Sequence, residues 1–385
     1  MKHIDRQILQ IALPSIVSNI TVPLLGLIDV AIVGHLGSPA YIGAIAVGGM
    51  LFNIIYWIFG FLRMGTSGMT SQAYGKRDLP EIVRLLMRSV GIGLAVALCL
   101  ILLQVPIRQA AFLIIHPTAE VREMATLYFH ICIWGAPAML GLYGLSGWFI
   151  GMQNSRIPMY IAITQNIVNI IASLSFVCFF KMKVEGVAFG TLIAQYAGFI
   201  MGLVLWMSRY GKLKKYILWK GVLQKEAMMR FFQVNRDIFL RTLCLVTVTL
   251  FFTSAGASQG EIILAVNTLL MQLFTLFSYV MDGFAYAGEA LSGRYIGARN
   301  RKAFTNTTRH LFIWGGWLAA FFTLVYALGG NAFLGLLTDN KDVVSAAGTY
   351  FYWALAIPVA GIAAFIWDGI FIGATATRGM LASMA

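Results

Sequence analysis

Asp29 is an acid inside a long apolar stretch, in the segment LLGLIDVAIVGHLG (residues 24–37). A charge at the centre of a membrane helix costs about 2.5 to 3.5 kcal/mol on insertion scales, and less near the end of the helix. Burial in lipid therefore favours the neutral acid over the carboxylate. An acid so placed can exchange a proton, or bind Na⁺ if neutral oxygens converge on it. Alternatively, it faces interfacial water or belongs to a fixed polar network.

Oxygen-bearing side chains for such a site follow later in the sequence. Asn166 and Asn169 lie in QNIVNIIASLSF, where their spacing places them on one face of a helix. Thr191 lies in the next apolar segment, GVAFGTLIAQ. Amides inside membrane helices also act as packing contacts between helices, so the spacing alone leaves both interpretations open.

Three further ionisable residues in apolar segments are candidates for a gate. Arg63 lies in one segment, and Asp282 and Glu289 lie in a later one. Because an unpaired buried charge is costly, we hypothesise that Arg63 pairs with Asp282 or Glu289 across the centre of the molecule when a cavity opens outward. The pair would separate when the cavity opens inward. In the alternative, each residue pairs within its own half or contacts cytoplasmic water.

The composition places these residues in a membrane protein. The chain is 59% hydrophobic and only 11% charged, whereas soluble domains are about 25% charged. Apolar runs of the roughly 20 residues that cross a bilayer recur, without the period-two alternation of membrane barrels. We therefore predict an all-α integral membrane protein. The ten predicted helices are residues 9–33, 44–68, 84–107, 124–150, 157–180, 186–208, 236–256, 262–292, 304–328 and 346–374.

The chain carries a net charge of +13, and its basic residues are distributed as the predicted topology requires. With a cytoplasmic N-terminus, most Lys and Arg residues lie at that terminus or in connections from even to odd helices, which is the positive-inside pattern. This explanation requires no nucleic-acid partner.

The first segment lacks a signal cleavage site and is expected to be a retained helix. The four cysteines lie in apolar spans without C-x-x-C spacing, so neither disulfide nor structural metal is expected.

An internal repeat predicts the architecture. SQAYGKRD after helix 2 resembles GRYIGARN after helix 8, so that Gly75 and Arg77 align with Gly297 and Arg299. Gly151 aligns with Gly373 at the same offset. Helices 1 to 4 thus correspond to helices 7 to 10 in the same orientation. Parallel repeats of this kind enclose a site near the bilayer midplane and alternate its access by rocking.

The repeat divides the chain into an N-lobe (residues 1–210, helices 1 to 6), a basic cytoplasmic linker (residues 211–235) and a C-lobe (residues 236–385, helices 7 to 10). Helices 5 and 6 have no counterpart in the C-lobe. We therefore expect two parallel six-helix lobes, of which about two C-terminal helices lie beyond the sequence given. The alternative is a natural ten-helix protein.

Three long motifs resemble the multidrug and toxic compound extrusion (MATE) transporters, most closely their DinF-like branch. The motifs are ALPSIVSNITVPLLGLIDVAIVGHLG, FLRMGTSGMTSQAYGKRD and FIWDGIFIGATATRGM, and the resemblance extends over essentially the whole chain. It implies twelve helices and an N-lobe cation site made by Asp29, Asn169 and Thr191. Ser173 stands where similar transporters carry a second acid. Because Ser173 removes a carboxylate that Na⁺ would favour, H⁺ is favoured over Na⁺ as the coupling ion.

The resemblance also assigns roles to Pro14 and Asp368. A proline at the position of Pro14 accompanies proposed bending of helix 1 in the family, and Pro23 lies nearer Asp29. Proline removes a helical hydrogen bond, so each can be a hinge or merely a static kink. Asp368 lies in helix 10, where NorM-like relatives carry a cation-binding aspartate.

Helices 1, 2, 7 and 8 are expected to line the substrate cavity. Aromatic faces attract organic cations, and methionine adapts to varied shapes, although most such residues pack against protein or lipid. The candidates are Tyr56, Trp57, Phe61, Met64, Phe274, Phe277, Tyr279, Met281 and Phe284.

The sequence thus predicts a multi-pass, monomeric antiporter of the bacterial inner membrane. It would export organic, cationic amphipathic compounds in exchange for H⁺ or Na⁺, without a bound cofactor. A lipid-linked precursor flippase is the alternative, but it would require a cavity rich in Arg and Lys, where only Arg63 fits. A membrane-embedded enzyme is disfavoured because neither H-E-x-x-H nor G-x-S-x-G occurs. A receptor or channel would not predict the repeat.

Overall fold

The structure is a computed structural model that describes residues 2–337 and 341–384. Within these ranges the regular elements are helices, and no strand is found. Two short 3₁₀ segments, Ile133–Gly135 and Gly211–Tyr216, interrupt them. The α-helices are α1 (Lys2–Gly34), α2 (Pro39–Ile58), α3 (Phe61–Lys76), α4 (Leu79–Leu102), α5 (Gln104–Ile115), α6 (Ala119–Cys132), α7 (Ala136–Gly151), α8 (Arg156–Cys178), α9 (Val184–Tyr210), α10 (Lys225–Ser258), α11 (Glu261–Gly297), α12 (Arg301–Leu337), α13 (Lys341–Gly373) and α14 (Thr377–Ala382).

Ten helical segments in the described ranges are long and apolar enough to cross a membrane. They correspond one to one with the ten predicted helices, which confirms the all-α membrane class. Two of them, Pro39–Lys76 and Ala119–Gly151, each combine two consecutive helices. The described ranges thus contain ten candidate membrane spans although they contain fourteen α-helices.

Most helices begin earlier than predicted. Helix α10 begins at Lys225, so residues 225–235 of the predicted linker are helical. Apolar content defines the part of a helix that lies in lipid, whereas helices continue into water when their polar residues permit it. Predicted helix 3 differs in the opposite sense: it extends to residue 107, but α4 ends at Leu102 and the separate helix α5 (Gln104–Ile115) follows. Apolar residues continue through this break, so apolar content alone does not mark it.

The two copies of the repeat have the same local geometry. Within the first copy, a Cβ on Gly147 (α7) would collide with the carbonyl oxygen of Arg63 (α3). In the second, a Cβ on Gly369 (α13) would collide with the carbonyl oxygen of Ala285 (α11). Glycine at the same repeat position therefore allows the same close approach of helix backbones in both halves.

Helices α3 and α11 meet across the centre of the molecule through a reciprocal pair of glycines. A Cβ on Gly75 would collide with the Arg294 carbonyl oxygen, and a Cβ on Gly297 would collide with the Gln72 carbonyl oxygen. The Gln72 side chain also donates to the Gly373 carbonyl at 3.0 Å. The two lobes are therefore in backbone contact at this end of the molecule.

Helix α1 packs into two separate buried clusters, one at each end of the helix. Ile8 and Ile11, near its beginning, pack in one buried cluster with Phe277 of α11. Val33, near its end, packs in the N-lobe cluster with Phe129. The single helix that carries Asp29 therefore contacts the C-lobe at one end and the N-lobe at the other.

Candidate functional site

Asp29 lies in a buried hydrogen-bonded chain with residues from two other helices. Its side chain on α1 is 3% exposed. The hydroxyl Oγ1 of Thr191 (α9) donates to Asp29 Oδ2 at 3.2 Å, and Asn169 Nδ2 (α8) donates to Thr191 Oγ1 at 3.1 Å. The structure thus brings together three of the residues that the sequence assigned to a cation site.

Ser173 completes the lining of this site. Its hydroxyl lies against Gly190, beside Thr191 in the chain, and it is fully buried. Three buried oxygens here have no hydrogen-bond partner among the described residues: Asp29 Oδ1, Asn169 Oδ1 and Ser173 Oγ. Such buried acceptors are costly unless something donates to them or coordinates with them, and either a proton on Asp29 or a small cation would do so.

No basic side chain of the described residues forms a salt bridge with Asp29. A carboxylate in low dielectric needs a compensating positive charge. The described residues thus supply no positive charge that would compensate an ionised Asp29.

Asn166 does not take part in the chain of hydrogen bonds that joins Asn169, Thr191 and Asp29. Its Nδ2 donates to the carbonyl oxygen of Ala162, one turn earlier on α8, at 2.9 Å. Its own Oδ1 is buried and has no hydrogen-bond partner among the residues that the structure describes. The shared helix face predicted for Asn166 and Asn169 therefore yields one residue bonded towards Asp29 and one bonded to its own helix.

Pro14 and Pro23 both lie inside α1, which continues through them from Lys2 to Gly34. Proline has no amide hydrogen, so Pro14 leaves the carbonyl oxygen of Gln10 without its helical donor. The hydroxyl of Ser155, which is 1% exposed, lies 3.3 Å from that oxygen and 2.9 Å from the Ile11 carbonyl oxygen. Sequence reasoning missed Ser155 because no local pattern marks a contact between residues so far apart in the chain.

The predicted gate residues Arg63 and Glu289 form a cross-lobe ion pair. Arg63 Nη1 on α3 lies 3.7 Å from Glu289 Oε2 on α11, and both side chains are largely buried. The Arg63 guanidinium also lies over the ring of Tyr286, 4.1 Å from its centroid. Asp282 lies on the same helix but makes no salt bridge in the described part of the chain. Of the two predicted partners of Arg63, the structure thus selects Glu289.

Asp368 pairs with a residue that sequence reasoning overlooked. Arg241 Nη2 on α10 lies 2.6 Å from Asp368 Oδ1 on α13. The Asp368 carboxylate is thus neutralised by a permanent cation in this conformation, which is a different environment from that of Asp29. The signal was available, because Arg241 lies within predicted helix 7 and an arginine inside an apolar span calls for an acid partner.

Four of the predicted cavity residues are core residues in this structure. Phe277 and Met281 are fully buried, and Phe284 is 3% exposed, all in the C-lobe core. Tyr56 is 8% exposed and stacks on Phe52 in the N-lobe core. In this conformation these four side chains are packed inside the protein, and their assignment to the substrate cavity stays a prediction.

The other predicted cavity residues remain partly or well exposed. They are Trp57, Phe61, Met64, Phe274 and Tyr279. Phe61 lines an apolar groove of about 650 Å³ together with Phe59, Phe231 and Phe239. Because Phe61 belongs to the N-lobe and Phe239 lies on α10, this groove runs along the boundary between the lobes.

Comparison with known proteins identifies the family. The sequence profile described as MatE matches residues 14–174 and 238–385. The chain is 38% identical to the DNA damage-inducible protein F of Escherichia coli (strain K12), over 99% of this chain and 83% of that protein. It is 24% identical to the chloroplastic Protein DETOXIFICATION 45 of Arabidopsis thaliana, over 96% of this chain and 69% of that protein.

Solved structures agree on the fold. A crystal structure of MATE in the bent conformation superposes with a TM-score of 0.85 at 20% identity, covering 96% of this chain and 83% of that one. The bent form of the Vibrio cholerae MATE transporter VcmN superposes with a TM-score of 0.87 at 17% identity, covering 100% of this chain and 87% of that one. From the profile, the 38% identical relative and the shared fold, the chain belongs to the MatE family of multidrug and toxic compound extrusion transporters, and it is a transporter and not an enzyme.

Proposed function

We propose that this transporter exports organic, cationic amphipathic compounds across the bacterial inner membrane in exchange for a cation, with H⁺ favoured over Na⁺. One observation carries the proposal: Asp29 is a buried acid, 3% exposed, that has no basic partner in the described chain. Its charge must be balanced by a cation that arrives from one side of the membrane and leaves to the other. An acid with these properties is what coupling to an ion gradient requires.

The donor set around Asp29 favours a proton. Thr191 and Asn169 are neutral, and Ser173 supplies a hydroxyl where a second acid would add charge. A proton needs only one carboxylate, whereas Na⁺ requires several oxygens and benefits from additional negative charge. Sodium is the second candidate, because Asp29 Oδ1, Asn169 Oδ1 and Ser173 Oγ are buried without partners.

The ion pair between Arg63 and Glu289 supports alternating access. The two residues lie on α3 and α11, the helices whose backbones meet at Gly75 and Gly297. Any motion that separates these helices must break the pair and hydrate or re-pair both charges. In the proposed cycle, the pair closes one side of the central cavity and opens when the lobes rock apart.

Coupling to one proton is energetically sufficient. An elementary charge moving across 100 mV yields about 2.3 kcal/mol, and a tenfold concentration ratio requires about 1.4 kcal/mol. One proton per substrate therefore sustains a substrate gradient of roughly fortyfold before any pH difference is added.

Transport by the reconstituted full-length gene product tests the proposal. Uptake of a fluorescent organic cation into liposomes is measured under an imposed pH gradient and, separately, under a Na⁺ gradient. We expect the pH gradient to drive uptake in the wild type and in the control Glu123→Gln, an exposed acid on α6, and to fail with Asp29→Asn. Uptake driven only by the Na⁺ gradient would identify Na⁺, and not H⁺, as the coupling ion. No uptake under either gradient would contradict the export of organic cations.

A further inference from the structure

The segment between α9 and α10 combines positive charge with exposed apolar side chains. Residues 209–224, with the sequence RYGKLKKYILWKGVLQ, include five Lys or Arg residues and no acid. Its lysines Lys212, Lys214, Lys215 and Lys220 are exposed, and none forms a salt bridge within the described chain. The protein itself therefore leaves this charge unneutralised.

Large apolar side chains stand among these lysines. Trp219 is 76% exposed, Leu218 59% and Leu223 73%. The preceding α-helix, α9, ends at Tyr210, a 3₁₀ segment extends to Tyr216, and the next helix begins at Lys225. The segment therefore lies where two spans leave the bilayer, and tryptophan is enriched at this membrane–water boundary.

A buried arginine fixes the segment in this position. Arg88 on α4, which is 3% exposed, donates from Nε to the Val222 carbonyl oxygen at 2.7 Å and from Nη2 to the Gly221 carbonyl oxygen at 2.9 Å. It also pairs with Glu81 at 2.6 Å. Val222 itself is 2% exposed. Because the backbone at residues 221–222 is held against the N-lobe, Trp219 and Leu223 on either side are not free to fold into the protein.

We propose that residues 212–223 bind the headgroups of anionic phospholipids at the bilayer surface. Lysines at this level extend their apolar stems along the lipid and place their ammonium groups among the phosphates. Trp219 and Leu218 occupy the interfacial layer beneath the headgroups. Clusters of basic residues beside a membrane span attract anionic lipid in this way. A basic loop that only sets the orientation of the spans needs no exposed apolar side chains, and this segment has them.

Lipid binding by the purified full-length protein tests the proposal. Native mass spectrometry counts the phosphatidylglycerol, or phosphatidylcholine of the same acyl chains, retained as each lipid is added. One variant combines Lys212→Gln, Lys214→Gln, Lys215→Gln and Lys220→Gln. The control variant combines Lys76→Gln, Arg301→Gln, Lys302→Gln and Arg309→Gln, which removes the same charge from exposed positions elsewhere on the chain.

We expect the wild type to retain phosphatidylglycerol in preference to phosphatidylcholine. The linker variant should bind phosphatidylglycerol at least about tenfold more weakly, because each lysine near an anionic surface contributes up to about 1 kcal/mol. The control variant should bind it within about twofold of the wild type. A third variant, Trp219→Gln, keeps the charge and should weaken retention of both lipids. An unchanged linker variant, or an equal loss in the control variant, would overturn the proposal. The readout is lipid binding and not transport, so it is independent of the proposed function.

Discussion

At the scale of single residues, the environments of two acids separate their roles. Asp368 is 2.6 Å from the guanidinium of Arg241, whereas among the described residues Asp29 accepts a hydrogen bond from the neutral Thr191 and pairs with no basic side chain. A fixed ion pair holds its charge in place, but an acid with neutral neighbours is free to exchange its counter-charge. This difference supports the proposal that Asp29, more than Asp368, is the coupling acid.

Ser173→Asp tests the choice between H⁺ and Na⁺. A second carboxylate beside Asn169 and Thr191 adds negative charge and oxygen ligands, so the variant should acquire Na⁺ binding. Raising free Na⁺ to about 100 times the dissociation constant should stabilise the folded variant by about 2.7 kcal/mol. Thermal unfolding in detergent with Na⁺ or with choline measures this difference.

The neutral variant Ser173→Asn is the control for that experiment and should show no Na⁺ effect. If Ser173→Asp is equally insensitive to Na⁺, the missing acid is not what disfavours Na⁺ at this site. If the wild type already responds as strongly, the unpartnered oxygens around Asp29 are sufficient for Na⁺, and the preference for H⁺ is contradicted.

At the scale of helices, α1 links the coupling acid to both halves of the molecule. Pro14 interrupts its hydrogen bonding, and Ser155 from the beginning of the α8 region contacts the carbonyl oxygens that lie one turn earlier. A partner outside the helix thus lies beside the carbonyl oxygen that Pro14 leaves without its helical donor. This contact is compatible with the predicted role of Pro14 as a hinge, which stays a prediction.

Ser155→Ala should destabilise the protein by about 1 kcal/mol, because it removes the hydroxyl that lies within hydrogen-bond distance of the Gln10 and Ile11 carbonyl oxygens. Chemical unfolding in detergent measures the change. Ser175→Ala is the matched control, since the Ser175 hydroxyl bonds only to Ile171 of its own helix, and it should change stability by less than about 0.5 kcal/mol. Equal effects of the two variants would show that Ser155 does not support the kink.

The sequence was sufficient for the number and order of the spans, because apolar runs and the repeat are local patterns. It also located Asp29, Asn169 and Thr191, whose contacts the structure shows. It failed where the deciding contact is distant in the chain: Arg241 with Asp368, and Ser155 with α1. The cavity lining stays a prediction, because the spacing of apolar residues does not tell which side of a helix faces a cavity and which faces the lobe interior.

At the scale of the whole molecule, the two lobes meet through a reciprocal contact. Gly75 and Gly297 each lie against the backbone of the other lobe, and Arg63 and Glu289 pair between the same two helices. Because the same repeat position supplies both glycines, the contact between α3 and α11 has approximate two-fold symmetry. The ion pair between Arg63 and Glu289 does not follow this symmetry, because the residue that aligns with Arg63 in the second repeat is Ala285. The pair is thus an addition to the repeat, as expected of a functional gate.

Charge reversal tests the gate. Arg63→Glu and Glu289→Arg each place two like charges together in a buried position, and each should abolish transport, since breaking a buried pair costs about 3 to 5 kcal/mol. The double variant restores opposite charges and should recover transport above either single variant. Uptake of the fluorescent cation, normalised to the amount of folded protein, gives the comparison. A double variant no better than the singles would contradict a specific pairing of these residues.

The most direct test of the central claim, that Asp29 holds the exchanged cation, is the release of protons when substrate binds. Purified protein in weakly buffered solution with a pH indicator is mixed with the organic cation, and the protons released per protein are counted. We expect the wild type to release a single proton and Asp29→Asn to release none. Equal release from the two proteins would contradict the assignment of the coupling site to Asp29.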